Sequence, residues 1–307
     1  MRNNINIMFA VTPDYLKYAT VTAMSAVKNL KNEKINIHFL YADIYNKISS
    51  INIFNYTESI KNTFCNKNIN IYFYDCSSMI QILDGQNMGM WGEISLSHYL
   101  YFLAEKLIDA EKVIYLDTDT IVNCNISNIY NIDIKDNVVA MAKPSGLESM
   151  GKDVSNAGVV MINLKKWKNE KILDDILKFG KTLKKSNFCA QALLHYYLKG
   201  RNLIYYFDAE YNIFPHMYIE KDISSMKILH YTGYTHCRPW RDIDHCQRGS
   251  DLWWKYARET PFYEDFIYDI IDRKIDECIL TTTLKYKLKK KFHKLVKIYR
   301  YIKKFYK

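Results

Sequence analysis

Hydrophobic residues in the first quarter of the chain fall in compact runs separated by amphipathic stretches. Ile5–Ala10 (INIMFA), Ile35–Tyr41 (INIHFLY) and Ile69–Tyr74 (INIYFY) are the clearest. Short apolar runs of this kind read as strands. Pro13 removes a backbone donor and Asp14 favours a turn or cap, so Thr12-Pro13-Asp14 predicts a helix from near Tyr15 to about Leu30. Residues 46–65 predict a second helix. Strand, helix and strand joined by short connections mark a parallel sheet wrapped by helices.

Residues 77–93 are irregular and contain Gly85, Gly89 and Gly92. A helix is expected from Ser95 to about Ile108, then a strand at Val113–Leu116. Val138–Ala142, Gly158–Ile162, Leu203–Phe207 and Lys227–His230 read as further strands, and residues 169–184 and 187–199 as helices. After Trp254 the pattern turns helical. No repeat or long linker interrupts the chain, so residues 1–250 are expected to form one domain. A helical extension (251–280) and a tail (281–307) follow.

The chain has 307 residues, 49% of them hydrophobic, enough for one large core or two modest ones. Only 5 Pro and 10 Gly exclude disordered and fibrous classes. The net charge of +10 is misleading as an average. Residues 281–307 carry 11 Lys/Arg and no Asp/Glu, which leaves 32 basic and 33 acidic residues in 1–280. The body is near neutral, which argues against a nucleic-acid partner. The seven cysteines (Cys65, Cys76, Cys124, Cys189, Cys237, Cys246 and Cys278) form no C-x-x-C, a pattern that suits reduced thiols in a cytosol. No stretch reaches the roughly 18–20 apolar residues that span a bilayer, and Met1–Ala10 reads as a first strand, not a signal peptide.

The most informative stretch is Val113-Ile114-Tyr115-Leu116-Asp117-Thr118-Asp119, an apolar strand running into two carboxylates spaced i, i+2. Ligands of open parallel sheets sit beyond the carboxyl ends of strands. Two carboxylates share a dry site only if something positive joins them, and a divalent cation does so while also holding a diphosphate. A polar loop is the plain alternative. A sharper rival is the haloacid-dehalogenase-type phosphatase, whose first motif LDTDT resembles, with a nucleophilic first Asp. That motif follows the first strand of its domain, whereas three strand–helix units come first here, and Asp174-Asp175 falls in a helical pattern rather than at a strand end.

Far downstream, Ile228-Leu229-His230-Tyr231-Thr232-Gly233 places a histidine at a strand end before a glycine turn, and Arg238-Pro239-Trp240 follows. An imidazole with two carboxylates makes a mixed N/O site that suits Mn²⁺ or Mg²⁺. Arg238 can offset charge on a departing diphosphate, and Gly233 lets backbone approach phosphate. Taken alone, His230 is better explained by a core histidine bonded to backbone. His236, Cys237, His245 and Cys246 raise a zinc alternative, but they lack the close ligand pairs of structural zinc sites.

Taken in order, these residues resemble glycosyltransferase family 8, the retaining GT-A group that includes lipopolysaccharide galactosyl- and glucosyltransferases and glycogenin. The landmarks are Phe9-Ala10 with Asp14-Tyr15, then Tyr115 to Asp119, then Asn156-Ala157-Gly158-Val159 with Ile162-Asn163-Leu164 and Trp167. Gln191 before Lys199-Gly200 follows, then His230-Tyr231 through Gly233 to Pro239-Trp240. They cover about residues 1–245. The resemblance implies a Rossmann-like α/β fold of the GT-A type, with a mostly parallel central sheet flanked by helices and a helical C-terminal extension. It implies a metal held by Asp117, Asp119 and His230, and a nucleotide pocket lined by Ala10, Val11, Thr12, Tyr15, Asp117 and Thr118. Asn156 and Ala157 would face the donor sugar, Gln191 would sit beneath its anomeric carbon, and Gly233 and Arg238 would contact the diphosphate. Catalysis would rest on Gln191, Asp119 and Asn156, with Mn²⁺ or Mg²⁺ as cofactor, and the reaction would move a sugar from a UDP-sugar with retention.

Three positions depart from the family pattern. Tyr101 stands where Y-x-R has Arg, Ala190-Gln191-Ala192 lacks the acids of D-Q-D, and Arg238 replaces Lys before Pro-Trp. The first two remove groups that normally hold the donor sugar's hydroxyls, which implies either a donor other than galactose and glucose or a catalytically weakened homologue that binds nucleotide-sugar or glycan. In the tail, Leu288, Phe292, Leu295, Tyr299, Ile302 and Tyr306 are spaced 4, 3, 4, 3, 4, one stripe of a basic amphipathic helix. The expected partners are therefore a nucleotide-sugar, a lipid-linked or cell-surface glycan acceptor and an anionic membrane surface. The expected location is the inner face of a bacterial cytoplasmic membrane.

Overall fold

The computed structural model describes residues 4–44, 48–83, 92–144, 154–182, 190–232, 238–241 and 248–291. In chain order its elements are β1 (Ile5–Val11), α1 (Leu16–Lys28), β2 (Ile35–Tyr41), α2 (Ser50–Thr63), β3 (Ile69–Asp75), α3 (Ile80–Leu83), α4 (Ala104–Leu107), β4 (Val113–Leu116), β5 (Thr120–Val122) and α5 (Ser127–Tyr130). There follow β6 (Val139–Ala142), β7 (Val159–Ile162), α6 (Leu164–Asn169), α7 (Ile172–Thr182), α8 (Ala190–Lys199), β8 (Ile204–Phe207), β9 (Ile228–His230), α9 (Ser250–Ala257) and α10 (Tyr263–Lys291).

Seven strands form the central sheet in the order β3-β2-β1-β4-β7-β6-β8, and β5 and β9 pair in a separate two-stranded sheet. Neighbours are parallel from β3 to β4 and between β6 and β8, while β7 runs against both β4 and β6. The expected mostly parallel α/β sheet is what forms. Alternation along β1 explains its almost wholly apolar sequence: Ile7 and Phe9 face the core beneath α1, and Met8 and Ala10 face a second core on the other side.

The structure differs from the sequence pattern in several places, among them the one-turn helices α3 and α5, which no pattern announced. Residues 92–103 form a long 3₁₀ helix leading into α4 rather than one α-helix. Tyr99 to Ala104 are all buried, so no amphipathic period distinguishes the tighter helix from an α-helix. The short α6 is an additional helix, capped by Asn163, whose side chain accepts the Lys166 N–H at 3.0 Å. Finally, β5 is too short at three residues to give a period of its own.

The C-terminal helices pack into the same core as β1 and α1. Tyr18 meets Trp240 at 4.6 Å and Phe266 at 5.2 Å, and Trp253 meets Trp240 and Phe266 at 5.0 Å each. Lys17 pairs with Asp269 at 2.6 Å, and Arg273 donates to the Trp240 carbonyl at 2.6 Å. Beyond Lys274, α10 leaves the body: residues 275–284 are all exposed, and the helix runs through residue 280 to Lys291. The tail stripe from Phe292 onward lies outside the described residues. Among the described residues no helix is long and apolar enough to cross a membrane.

One buried histidine makes the sheet sensitive to acid. His38 on β2 is 4% exposed, between Asn6 Oδ1 and Tyr74 Oη at 3.2 Å each, and stacks on Tyr72. Burial lowers its pKa to about 4. A histidine held neutral contributes stability that is complete above its unfolded pKa near 6.5 and is lost as pH falls toward 4. We expect unfolding free energy to drop by up to about 3 kcal/mol across that window. Urea melts of wild type and His38→Gln check this, and the variant should show a flatter acid limb.

Candidate active site

The apolar strand β4 ends at Leu116, and Asp117-Thr118-Asp119 turns the chain into β5. The Asp117 N–H donates to the Gly158 carbonyl at 2.8 Å, and the Thr120 hydroxyl closes the turn on the Asp117 carbonyl at 2.8 Å. Polar residues of α1 hold β5 along one edge. Thr22 Oγ1 donates to the Thr120 carbonyl at 2.8 Å, Ser25 Oγ accepts the Val122 N–H at 2.9 Å, and Asn29 Nδ2 donates to the Val122 carbonyl at 2.9 Å. The other edge pairs antiparallel with β9, setting Thr120 opposite His230, and Tyr231 N–H donates to the Asp119 carbonyl at 2.8 Å. Two segments 111 positions apart are thereby clamped together.

Asp117, Asp119 and His230 converge, each offering one ligand atom within 4.8 Å of the others. His230 Nε2 lies 3.1 Å from Asp119 Oδ1 and 3.5 Å from Asp117 Oδ2. Burial and the neighbouring Asp119 raise the pKa of Asp117. Burial alone would raise that of Asp119 too, but His230 and Arg238 outweigh it and hold it at about 2. Burial likewise opposes charge on His230, yet the two aspartates raise its pKa above the ordinary imidazole range. The Tyr115 phenol, pushed far up by burial and by Asp117, stays protonated and donates to Asp117 Oδ1 at 2.5 Å. Two carboxylates and an imidazole pulled together around a compact gap fit a divalent cation that prefers oxygen and nitrogen donors.

Arg238 extends the site. Its Nη2 lies 3.2 Å from Asp119 Oδ2 and its Nη1 3.3 Å from Tyr15 Oη, and its buried Nε has no partner among the described residues. Ala10 and Val11 close β1, which runs parallel beside β4, so they end next to Asp117. The Thr12 carbonyl accepts the Tyr15 N–H at 2.9 Å, and the Thr118 carbonyl accepts the Thr22 hydroxyl at 3.2 Å. Asn156 and Ala157 precede β7, and Ala157 N–H donates to Gln191 Oε1 at 3.0 Å, which brings α8 to the same edge. Tyr101 is buried, stacks on Tyr115 at 4.7 Å and donates to the Ala190 carbonyl at 3.5 Å. Gly233 and the zinc candidates His236, Cys237, His245 and Cys246 lie outside the described residues.

Three residues at this site carried no assigned role in the sequence reading. Asn212 Oδ1 contacts His230 Nδ1 at 2.8 Å, Tyr115 bonds Asp117, and Gly158 lies under the His230 ring. Gly158 stood within a recognisable landmark. Asn212, a lone polar residue after a short 3₁₀ turn, gave no local signal.

The profile of glycosyl transferase family 8 matches residues 6–244. The lipopolysaccharide 1,2-glucosyltransferase of Escherichia coli K12 is 27% identical over 263 residues, covering 77% of this chain and 72% of that protein. Glycosyltransferase GlyA of Streptococcus pneumoniae is 26% identical over 175 residues; the match covers 53% of this chain but only 24% of GlyA. Against pneumococcal GlyF the match likewise spans 42% of the relative's length. Among solved structures, the galactosyltransferase LgtC bound to donor and acceptor sugar analogues superposes with a TM-score of 0.65 at 21% identity, covering 84% of this chain and 96% of that one. The bifunctional glycosyltransferase WbbM gives 0.68 at 16% identity over 88% of this chain and 52% of its own.

The packing at Gly158 yields a test. A Cβ there would sit 2.1 Å from His230 Cε1 and 2.4 Å from Nδ1, so the ring must move. We expect Gly158→Ala to cost about 1–3 kcal/mol of stability. We also expect it to abolish any rise in melting temperature produced by Mn²⁺. Thermal melts with and without Mn²⁺ check both.

Proposed function

This chain belongs to glycosyltransferase family 8, and we propose that it is a retaining, metal-dependent enzyme that moves a sugar from a UDP-sugar onto a lipopolysaccharide, capsule or other surface glycan. The observation that carries this reading is the convergence of Asp117, Asp119 and His230 within 4.8 Å at the carboxyl end of the central strands. The Escherichia coli relative's name supplies the acceptor class.

Asp117, Asp119 and His230 would hold Mn²⁺ or Mg²⁺, which would supply positive charge beside the donor's diphosphate. Arg238, tied to Asp119 and Tyr15, offsets charge that grows on the departing diphosphate. Tyr15, with Ala10, Val11, Thr12 and Thr118, would form the nucleotide side; Gly233, expected to admit the phosphates, lies outside the described residues. Gln191 has its Oε1 occupied by the Ala157 N–H, so its Nε2 is the amide end that remains for the sugar. Asn156 and Ala157 line that same sugar side.

Where the family pattern has an arginine and acids, this chain has the neutral contact of Tyr101 with the Ala190 carbonyl. A site short of those charged groups suits a donor other than galactose or glucose. The same change supports the second reading, a weakened homologue that binds nucleotide-sugar or glycan without turnover. The family match leaves the phosphatase reading without support.

A panel of nucleotide-sugars with Mn²⁺, read by UDP release, separates these. We expect slow release from at least one UDP-sugar without acceptor, loss of that release in excess EDTA, and no turnover in Asp119→Ala with its fold retained by circular dichroism. Full activity in EDTA overturns the metal mechanism, and no release from any donor favours the weakened homologue.

The 281–307 segment would seat the protein on the inner face of the cytoplasmic membrane, each near-surface cation contributing about 1 kcal/mol. Anionic liposomes should float the full chain and lose most of it when residues 281–307 are removed or salt is raised. Equal flotation removes the membrane role.

A further inference from the structure

The donor and acceptor sense of the hydrogen bonds around His230 follows from a backbone group whose role is fixed. Gly158 N–H can only donate, and its partner at 2.8 Å is Asn156 Oδ1, which is therefore the oxygen of that amide. Asn212 places its other amide atom 2.9 Å from the same Asn156 Oδ1 and 3.2 Å from the Asn156 carbonyl. Facing two oxygens, that atom must be the Asn212 NH₂. The remaining atom, Asn212 Oδ1, must then be an acceptor, and it lies 2.8 Å from His230 Nδ1. An imidazole nitrogen facing an acceptor carries the proton.

The relay is built, not incidental. Asn212 is 7% exposed and His230 is 1% exposed, so neither can exchange these partners for bulk water. The segment carrying Asn212 is bridged to β9: Ile213 N–H donates to the Ile228 carbonyl at 3.0 Å, and His230 N–H donates to the Ile213 carbonyl at 2.8 Å. Phe214 lies 5.6 Å from the imidazole at 64°, and Gly158 leaves room for it on another side. The ring has one place to sit and one way to face.

We infer that Asn212 is a positioning residue for ion binding: it transmits the polarity of the Gly158 N–H to His230 and holds a proton on Nδ1, so that Nε2, which donates to Asp119 in the ion-free protein, is the nitrogen that releases its proton to solvent and ligates the ion. This rests on the ion-binding reading of Asp117, Asp119 and His230. Metal-bound histidines elsewhere are held by their second nitrogen in the same sense, and loss of such a partner weakens metal affinity by about 10- to 100-fold.

The test uses the full chain. Histidine ¹⁵N NMR reads which ring nitrogens carry a proton. On addition of Mg²⁺, wild type should keep the His230 Nδ1 proton and lose the Nε2 one, and Asn212→Leu should retain Nε2–H at the same Mg²⁺ concentration. Mn²⁺ affinity, measured by electron paramagnetic resonance of free ion, should fall about 10- to 100-fold in Asn212→Leu. It should fall less in Asn212→Asp, which keeps an oxygen facing Nδ1 but loses the NH₂ that the Asn156 oxygens accept. A general structural defect would weaken both variants alike. Equal losses in the two, an unchanged affinity in Asn212→Leu, or a Mg²⁺-loaded wild type whose ring proton sits on Nε2 overturns the proposal. Failure of wild type to bind either Mn²⁺ or Mg²⁺ would instead overturn the ion site itself.

Discussion

The antiparallel pairing of Thr120–Val122 with Ile228–His230 is the constraint on which the site depends. Without it the acidic turn after β4 and the histidine have no reason to meet, because more than a hundred residues and most of two helical layers separate them in the chain. Three residues per strand give little stability on their own. The pair holds because α1 lends it a hydrogen-bonding edge. Thr22, Ser25 and Asn29 lie on one face of that helix and serve the free carbonyls and N–H of β5, so the groups are satisfied inside the protein rather than by water.

That clamp sets the electrostatics. Two carboxylates brought to the end of a buried strand repel each other and lose hydration. The protein offsets this with donors from three directions: Tyr115 from β4 itself, His230 from β9 and Arg238 from the segment before α9. The result is asymmetric. Asp119, next to both cationic partners, keeps its charge firmly, while Asp117 keeps it less readily and sits nearer solvent. Such a pair would be relieved by a further cation, which is what the proposed ion site requires.

Around this centre the sheet places the remaining residues by simple parallel geometry. The end of β1 lies beside the end of β4, so Ala10 and Val11 come next to the aspartates, and the turn that follows carries Tyr15 to Arg238. On the other side, β7 runs against its neighbours, which brings its start rather than its end to the same edge. That reversal puts Asn156, Ala157 and Gly158 within reach of Gln191, Asn212 and His230. The replacement of charged family residues at Tyr101 and Ala190 falls in this half, where the donor sugar would lie, and leaves the ion ligands intact.

Much of the framework was legible in the chain itself. Apolar runs bounded by turn residues located β1 to β4 almost to the residue: β1, β2 and β4 are largely buried on both faces and read as near-continuous hydrophobic runs, while the half-exposed edge strand β3 keeps Ile69, Ile71 and Phe73 at alternate positions against the core. The i, i+2 aspartates at a strand end marked two of the three residues that converge here, Asp117 and Asp119, from local sequence alone. The rest required tertiary structure. A polar Thr22/Ser25/Asn29 stripe on a helix ordinarily marks a solvated face, and only the presence of β5 makes it interior. Asn212 carries no local signature, because its role comes from what stands across from it: one asparagine, one imidazole and, through them, a backbone N–H. Periodicity and spacing encode which residues are buried and where turns fall, but the direction of a hydrogen bond between distant side chains is decided only when the chain has folded.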